Sequence, residues 1–167
     1  MLSVTQHPHV PVDPLALAHT CRHAGLKATP QRLAVLRCLF EASDHPSPEA
    51  VFRRVREELH SISLATIYNT LDSLEAKGLV SRVMLQFDAK RYDANRSPHH
   101  HLICTVCGCI EDYEDPRLPP KVQGSLGGFT PREVRVQILG VCGACRSRSP
   151  ERGPTRAGGT PKRKSAP

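Results

Sequence analysis

The chain has 167 residues, 39% of them hydrophobic and 4% aromatic, with no tryptophan, so it can hold one domain or two small ones around mainly aliphatic cores. No stretch reaches the roughly eighteen apolar residues of a membrane-spanning helix, and the opening MLSVTQHPHVPVDP lacks the basic and apolar blocks of a secretory signal. The net charge of +7 is mostly a property of the end of the chain, because seven basic residues and one acidic residue from Arg146 onward carry +6 of it.

Residues 1–12 show no hydrophobic period and are expected to be disordered. A first helix is expected over 14–24, with Leu15, Leu17, Ala18 and Cys21 toward one face and Gly25 as its stop. The second opens with Thr29-Pro30, a cap followed by proline at the first helical position, and repeats Leu33, Leu36, Leu39 and Phe40 at steps of three and four. Ser47-Pro48-Glu49 opens the third in the same way, with Ala50, Phe52 and Val55 toward a core and Arg53, Arg54 and Arg56 mainly outward. The fourth follows Ser63 and runs to Lys77, with Leu64, Ile67, Leu71 and Leu74 as its buried stripe and Gly78 beyond it.

After Gly78 the pattern changes to strands. LVSRVML reads as one strand, FDAK as a turn and Arg91-Tyr92-Asp93 as the returning strand. Helices closed by a two-stranded hairpin predict a winged helix-turn-helix over 13–94. Residues 95–98 read as a hinge. A second, small α/β domain is expected over 99–145, with strands at 100–104, 110–113 and 133–139. The intervening DPRLPPKVQGSLGGF, rich in proline and glycine, leaves room for a short helix at most. Residues 146–167 read as a basic disordered tail, a solvated segment that could also attract nucleic acid without sequence preference. The fold class is therefore α+β.

Seven cysteines without a secretory signal point to a reducing cytosol, where paired cysteines hold metal or do redox chemistry more often than they staple a fold. Cys104-x-x-Cys107-Gly and Cys142-x-x-Cys145 are two such pairs. Two residues between thiolates let one tight turn aim both sulfurs at one ion, and two turns complete a closed, structural zinc tetrahedron. Cys21 and Cys38 fall on helix faces as buried fillers, and Cys109 has no assigned role. In a strand, alternate side chains share a face, so His99 and His101 point together and His100 points away. Carboxylates near them are Asp93, Glu111 and Asp112. A mixed nitrogen and oxygen set of this kind suits Fe(II), Mn(II) or Zn(II) rather than a thiolate-selective ion. No nucleophile triad and no phosphate loop stands out, so no enzyme activity is expected.

The chain resembles the ferric uptake regulator family over residues 13–145. The matching motifs are Gly25, Thr29-Pro30-Gln31-Arg32, His45-Pro46, ISLATIYNTL, Gly78-Leu79-Val80, Arg91-Tyr92-Asp93, HHHLICTVCG and GVCGAC. The resemblance implies a cytoplasmic homodimeric repressor whose metal-loaded form binds double-stranded operator DNA. Within the family the match is nearer the peroxide-sensing repressors, whose sensing ion takes three histidines and two aspartates. Those positions are filled here by His45, Asp93, His99, His101 and Asp112. Iron-uptake regulators usually carry Glu where this chain has Asp112, and often Arg where it has Asn69.

The implied cofactors are one structural Zn(II) per subunit on Cys104, Cys107, Cys142 and Cys145, and a regulatory Fe(II) or Mn(II) on the five-residue set. With Fe(II), peroxide is expected to oxidise His45 or His99. The DNA-contacting candidates are Arg32, Ser63, Thr66, Tyr68 and Asn69, with Arg82, Lys90 and Arg91 on the wing. The strand PREVRVQILG lacks the histidine that relatives use for a further metal site, so that site is not expected and His100 is left without a role. Alternatives are an iron- or zinc-responsive regulator of the same family, a CxxC thiol oxidoreductase and a metal-binding chaperone without DNA.

Overall fold

The four N-terminal helices each start on a side chain that accepts an otherwise unpaired backbone N–H. In the computed structural model, which describes residues 12–84, 90–97, 99–115, 117–118, 127–130 and 136–148, these are α1 (Pro14–His23), α2 (Pro30–Phe40), α3 (Pro48–Arg56) and α4 (Leu64–Ala76). Asp13, Thr29, Ser47 and Ser63 cap them, and proline stands at the start of the first three, where its missing N–H costs nothing. Gly25 and Gly78 end α1 and α4 with positive φ of 75° and 65°.

The helices bury one aliphatic core. Val35, Leu36, Val51, Ile67, Leu71 and Leu74 are fully enclosed, each contributing roughly 1.5–3 kcal/mol by leaving water. β1 (Ser81–Met84) and β2 (Lys90–Asp93) pair antiparallel from Ser81↔Asp93 to Met84↔Lys90, forming the wing. Tyr92 of β2 is also fully buried in the helical core, and its N–H donates to the Pro46 carbonyl at 3.2 Å. That contact fixes the wing against the loop between α2 and α3.

The second unit is a three-stranded sheet of order β4-β3-β5, built from β3 (His100–Cys104), β4 (Ile110–Tyr113) and β5 (Gln137–Gly140). β3 runs antiparallel to β4 and parallel to β5, with His101 paired to both Asp112 and Gln137. A short helix, α5 (Gly143–Arg148), follows. Helices followed by a small sheet domain give the expected α+β class. Among the described residues the sheet's hydrophobic cluster is small, with Ile103 and Ile110 meeting Val83 from the wing.

Several local expectations change. Leu15 is 78% exposed, because it lies two residues before Leu17 and so on the opposite side of α1. Leu64 and Phe40 also stay partly exposed, at 36% and 38%. In α3, Val51 and Val55 carry the core contact, while Phe52 is half-buried with Arg56 stacked 5.5 Å from its ring centroid. α5 runs to Arg148, into the stretch read as tail. Residues 1–11, 85–89 with most of the expected turn, Pro98, most of the proline- and glycine-rich connection, 131–135 and 149–167 lie outside the described residues.

Candidate metal centres and nucleic-acid surface

His45 sits between α2 and α3 with a left-handed backbone, φ 48°, the single positive-φ residue other than glycine among the described residues. This conformation is uncommon for a side chain with a Cβ. It sends the His45 imidazole, 5% exposed, toward the end of β2 and the sheet. There the Nε2 atom lies 2.8 Å from Asp112 Oδ1 and 4.0 Å from Asp93 Oδ1. His99 and His101 come from the other side, with their Nε2 atoms 3.0 Å apart. His99 Nε2 is 3.0 Å from Asp93 Oδ2, and His101 Nε2 is 3.6 Å from the same atom. Asp112 Oδ1 approaches His99 and His101 at 3.6 and 3.8 Å.

The structure thus brings together all five side chains of the expected histidine–aspartate set, and ligand atoms of His45, Asp93, His99 and His101 lie within 4.8 Å of one another. Glu111, the other carboxylate considered, is exposed and two residues from the knuckle on the alternate face of β4. His100 is buried on the face of β3 away from the cluster.

The hydrogen bonds around the cluster decide which atoms face inward. His99 Nδ1 lies 2.8 Å from the Ser97 carbonyl, which only accepts, so Nδ1 carries the hydrogen and a neutral ring leaves the Nε2 lone pair toward the cluster. Asn95 holds both carboxylates by their outer oxygens. Its N–H donates to Asp93 Oδ1 at 2.7 Å and its side-chain amide donates to Asp112 Oδ2 at 3.1 Å. Asp93 Oδ2 and Asp112 Oδ1 are left facing the imidazoles. Burial would push the Asp93 carboxyl up, but the hydrogen bonds from His101, His99 and Asn95 hold it well below its usual range. The same balance, with His45 and Asn95 as donors, holds Asp112 at about 2. The Asp93 carboxylate in turn raises His99 to about 9. Three imidazole nitrogens converging on two carboxylate oxygens held ionised fit a divalent cation of intermediate hardness. Asn95 was not legible beforehand; the only signal was its place two residues after Asp93, where a short polar side chain can turn back on the chain.

The cysteines form a second centre. The Cys104–Cys107 turn closes with Gly108, φ 71°, whose N–H donates to the Cys104 carbonyl at 2.9 Å. Thr105 N–H reaches the Gly140 carbonyl at 2.8 Å, and Cys142 N–H donates to Cys104 Sγ at 3.3 Å, which brings the second pair alongside the first. That N–H is the main cause of the Cys104 thiol's fall to about 5. The Cys109 N–H, foremost among several hydrogen bonds, likewise lowers Cys107. Such thiolate-stabilising turns fit zinc. One difference from the expected quartet is plain. The four sulfurs within 4.8 Å of one another belong to Cys104, Cys107, Cys109 and Cys142. The thiols of Cys107 and Cys142 push the Cys145 thiol on α5 up to about 12, and burial together with the same two thiols pushes Cys109 up as well. All seven cysteines are free thiols, Cys21 fully buried in the helical core and Cys38 half-buried.

In the first turns of α4, Ser63 and Asn69 are exposed and Thr66 is half-exposed. Ser63 Oγ and Thr66 Oγ1 lie 2.8 Å apart. The Tyr68 hydroxyl donates to Glu49 at 2.6 Å, and Lys90 stands 5.8 Å from the Tyr68 ring centroid. The other cations make internal contacts. Arg32 donates to the Lys27 carbonyl, Arg82 pairs with Glu75 and Asp72 of α4, and Arg91 reaches the His45 carbonyl at 3.5 Å.

Comparison with known proteins gives a consistent result. The model of the ferric uptake regulator family matches residues 23–138. The peroxide-responsive repressor PerR of Staphylococcus aureus is 33% identical over 129 residues, covering 76% of this chain and 87% of its own length. Among solved structures, the peroxide stress regulator of Campylobacter jejuni superposes with a TM-score of 0.57 at 29% identity, covering 78% of this chain and 97% of that one. The ferric uptake regulator of Pseudomonas aeruginosa, solved with manganese, gives a TM-score of 0.63 at 26% identity, with coverages of 75% and 96%.

Proposed function

The chain belongs to the ferric uptake regulator family of metal-responsive transcriptional regulators, and on that premise we propose that it is a DNA-binding repressor of the peroxide-sensing kind. The observation that carries this reading is the cluster of three imidazole nitrogens and two carboxylate oxygens drawn from both domains. The ligands of the regulatory Fe(II) or Mn(II) are His45, Asp93, His99, His101 and Asp112. Cys104, Cys107, Cys142 and Cys145 provide the ligands of one structural Zn(II) per subunit.

In this reading the residues work as a strap. His45 and Asp93 belong to the winged helix, and His99, His101 and Asp112 belong to the sheet, so a shared ion favours one angle between the two. Only a difference in affinity between two angles can shift their populations. The favoured angle sets the two α4 helices of a homodimer at successive major grooves, about 34–36 Å apart. Ser63, Thr66, Tyr68 and Asn69 then meet base edges, Asn69 suited to adenine, while Arg32 and Lys90 meet phosphates. Arg82 and Arg91 serve chiefly to hold the wing. The exposed edge strand β5, with Ile138, Leu139 and nearby Val141 open to solvent, supplies apolar surface for the dimer. Such a repressor acts in the cytoplasm.

Bound Fe(II) would lend the electrons that open the peroxide O–O bond and regain them from a ligand ring. His45 or His99 would take up one oxygen, an imidazole C–H becoming C–OH, and the second peroxide oxygen would leave as water. The oxidised ring is a poorer ligand, the strap opens, and DNA is released.

Operator binding by the Fe(II) and Mn(II) forms, measured before and after peroxide, tests the reading. Release of the Fe(II) form alone is expected, together with one added oxygen on the His45 or His99 peptide by mass spectrometry. Metal-dependent binding that survives peroxide in the Fe(II) form, with both histidines unmodified, would instead favour an iron- or zinc-responsive regulator.

A further inference from the structure

The zinc centre has five candidate sulfurs for four coordination places. We propose that Cys109 is an alternative ligand of that zinc, able to take the place of Cys145, so that two four-sulfur sets share Cys104, Cys107 and Cys142. The proposal rests on the zinc reading above and changes its ligand list.

Three observations carry it. First, the Cys109 sulfur already lies within 4.8 Å of those of Cys104, Cys107 and Cys142, the mutual closeness that a tetrahedral thiolate site needs. Second, the backbones that present the two competing sulfurs differ in how firmly they are held. Cys109 follows Gly108 in the knuckle, its carbonyl accepts the Cys104 N–H at 2.9 Å, and the next residue, Ile110, is buried at the start of β4. Cys145 stands on the six-residue α5, which buries no residue. A helix this short has little stability of its own. Third, both side chains are only half-buried, so neither set requires opening the core.

Zinc has no directional electronic preference and accepts either set once the sulfur is a thiolate. The sulfur not bound keeps its proton and remains beside the ion. In this arrangement α5 can detach, or Cys145 can be chemically modified, without release of zinc. The zinc centre then tolerates events at the end of the sheet domain that a strict quartet would not.

Zinc content and cobalt substitution of the full-length chain test this. The variants are Cys145→Ser, Cys109→Ser, Cys142→Ser and the Cys109→Ser/Cys145→Ser double variant. The unaltered protein and both outer single variants should retain zinc after dialysis against a mild chelator. Cys142→Ser and the double variant should lose it. With Co(II), Cys145→Ser should keep the thiolate-to-cobalt absorption of four sulfurs. Loss of zinc from Cys145→Ser as complete as from Cys142→Ser would overturn the proposal.

A measurement on the unaltered protein removes dependence on how the variants fold. With zinc bound, alkylation should mark both Cys109 and Cys145 while Cys104, Cys107 and Cys142 stay protected. Alkylation of Cys109 with Cys145 wholly protected would also overturn it. An unaltered protein that binds no zinc at all would instead remove the zinc reading on which the proposal stands, an outcome distinct from either.

Discussion

His45 is held in a backbone conformation that a residue with a Cβ adopts at a cost of roughly 1–2 kcal/mol, and glycine at almost none. Replacing it separates its two roles. His45→Gly should leave the protein about 1 kcal/mol more stable than His45→Ala in chemical denaturation, because both lack the imidazole and only alanine keeps the strain. Both should lose Mn(II) affinity alike; equal stability of the two would show that the loop relaxes out of the left-handed region.

His99 gives a pH dependence whose sign follows from its pairing with Asp93. Its pKa is raised from the ordinary 6.5 to about 9, so the stability this adds is full below pH 6.5 and is lost as pH rises through about 9. Asp93 is depressed, so its contribution is present above its ordinary 3.8 and lost as pH falls toward its folded value. Protein freed of the regulatory ion but not of zinc should therefore be most stable between about pH 4 and 6.5. The proton on His99 competes with the ion, so Mn(II) affinity should rise about tenfold per pH unit from 7 toward 9 and then level. Calorimetry in buffers of different ionisation heat would show about one proton released per ion. Affinity flat over that range would remove His99 from the ligand set. The shared face of His99 and His101 was legible from strand alternation alone. Asn95 and the inward turn of Arg91 were not, because each depends on a partner distant in sequence or on a loop conformation that no local pattern encodes.

Among elements, the helices were the most legible, since proline starts, polar caps and glycine stops act within a few residues. The strands at 100–104 and 110–113 have the bounds their sequence implies. α5 is not legible, because six residues without an apolar stripe carry no period. The two domains also differ in what holds them. Among the described residues, the helical domain buries an extended cluster from Leu17 to Ala94, whereas the cluster that serves the sheet has three members, one of them Val83 of the wing. So small a core leaves the sheet dependent on a staple. The knuckle supplies one by joining β3 to β5 through Thr105 and Gly140 and to the second cysteine pair through Cys142 and Cys104. Removing zinc with a strong chelator should therefore unfold the sheet and separate the dimer while most helical circular dichroism persists. Hydrogen exchange should place the new exposure in 100–113 and 137–148. A single cooperative loss of helix and sheet together would show that the domains do not unfold separately.

At the scale of the whole molecule, the link between the domains is not made by the five proposed ligands alone. Asn95 lies between β2 and β3 and binds Asp93 at the end of the wing with its N–H and Asp112 of the sheet with its side chain. It therefore bridges the same two bodies that a shared ion would bridge, using only hydrogen bonds. A protein whose ion-competent angle is partly populated binds the ion more weakly by that fraction, so a bridge that raises the population raises apparent affinity without touching the ion. Asn95→Ala keeps the backbone donor to Asp93 but removes the amide on Asp112. Mn(II) affinity should then fall about 10- to 100-fold, the usual range for losing a partner that orients a ligand. Zinc content should be unchanged, since the cysteine centre is separate. Small-angle scattering should show a broader distribution of shapes before Mn(II) is added and the unaltered profile at saturation. Operator affinity should recover at saturating Mn(II), because the binding-competent angle is still reachable and only less populated. If Mn(II) affinity changes by less than about twofold, Asn95 does not set the angle, and the five proposed ligands would have to set it unaided.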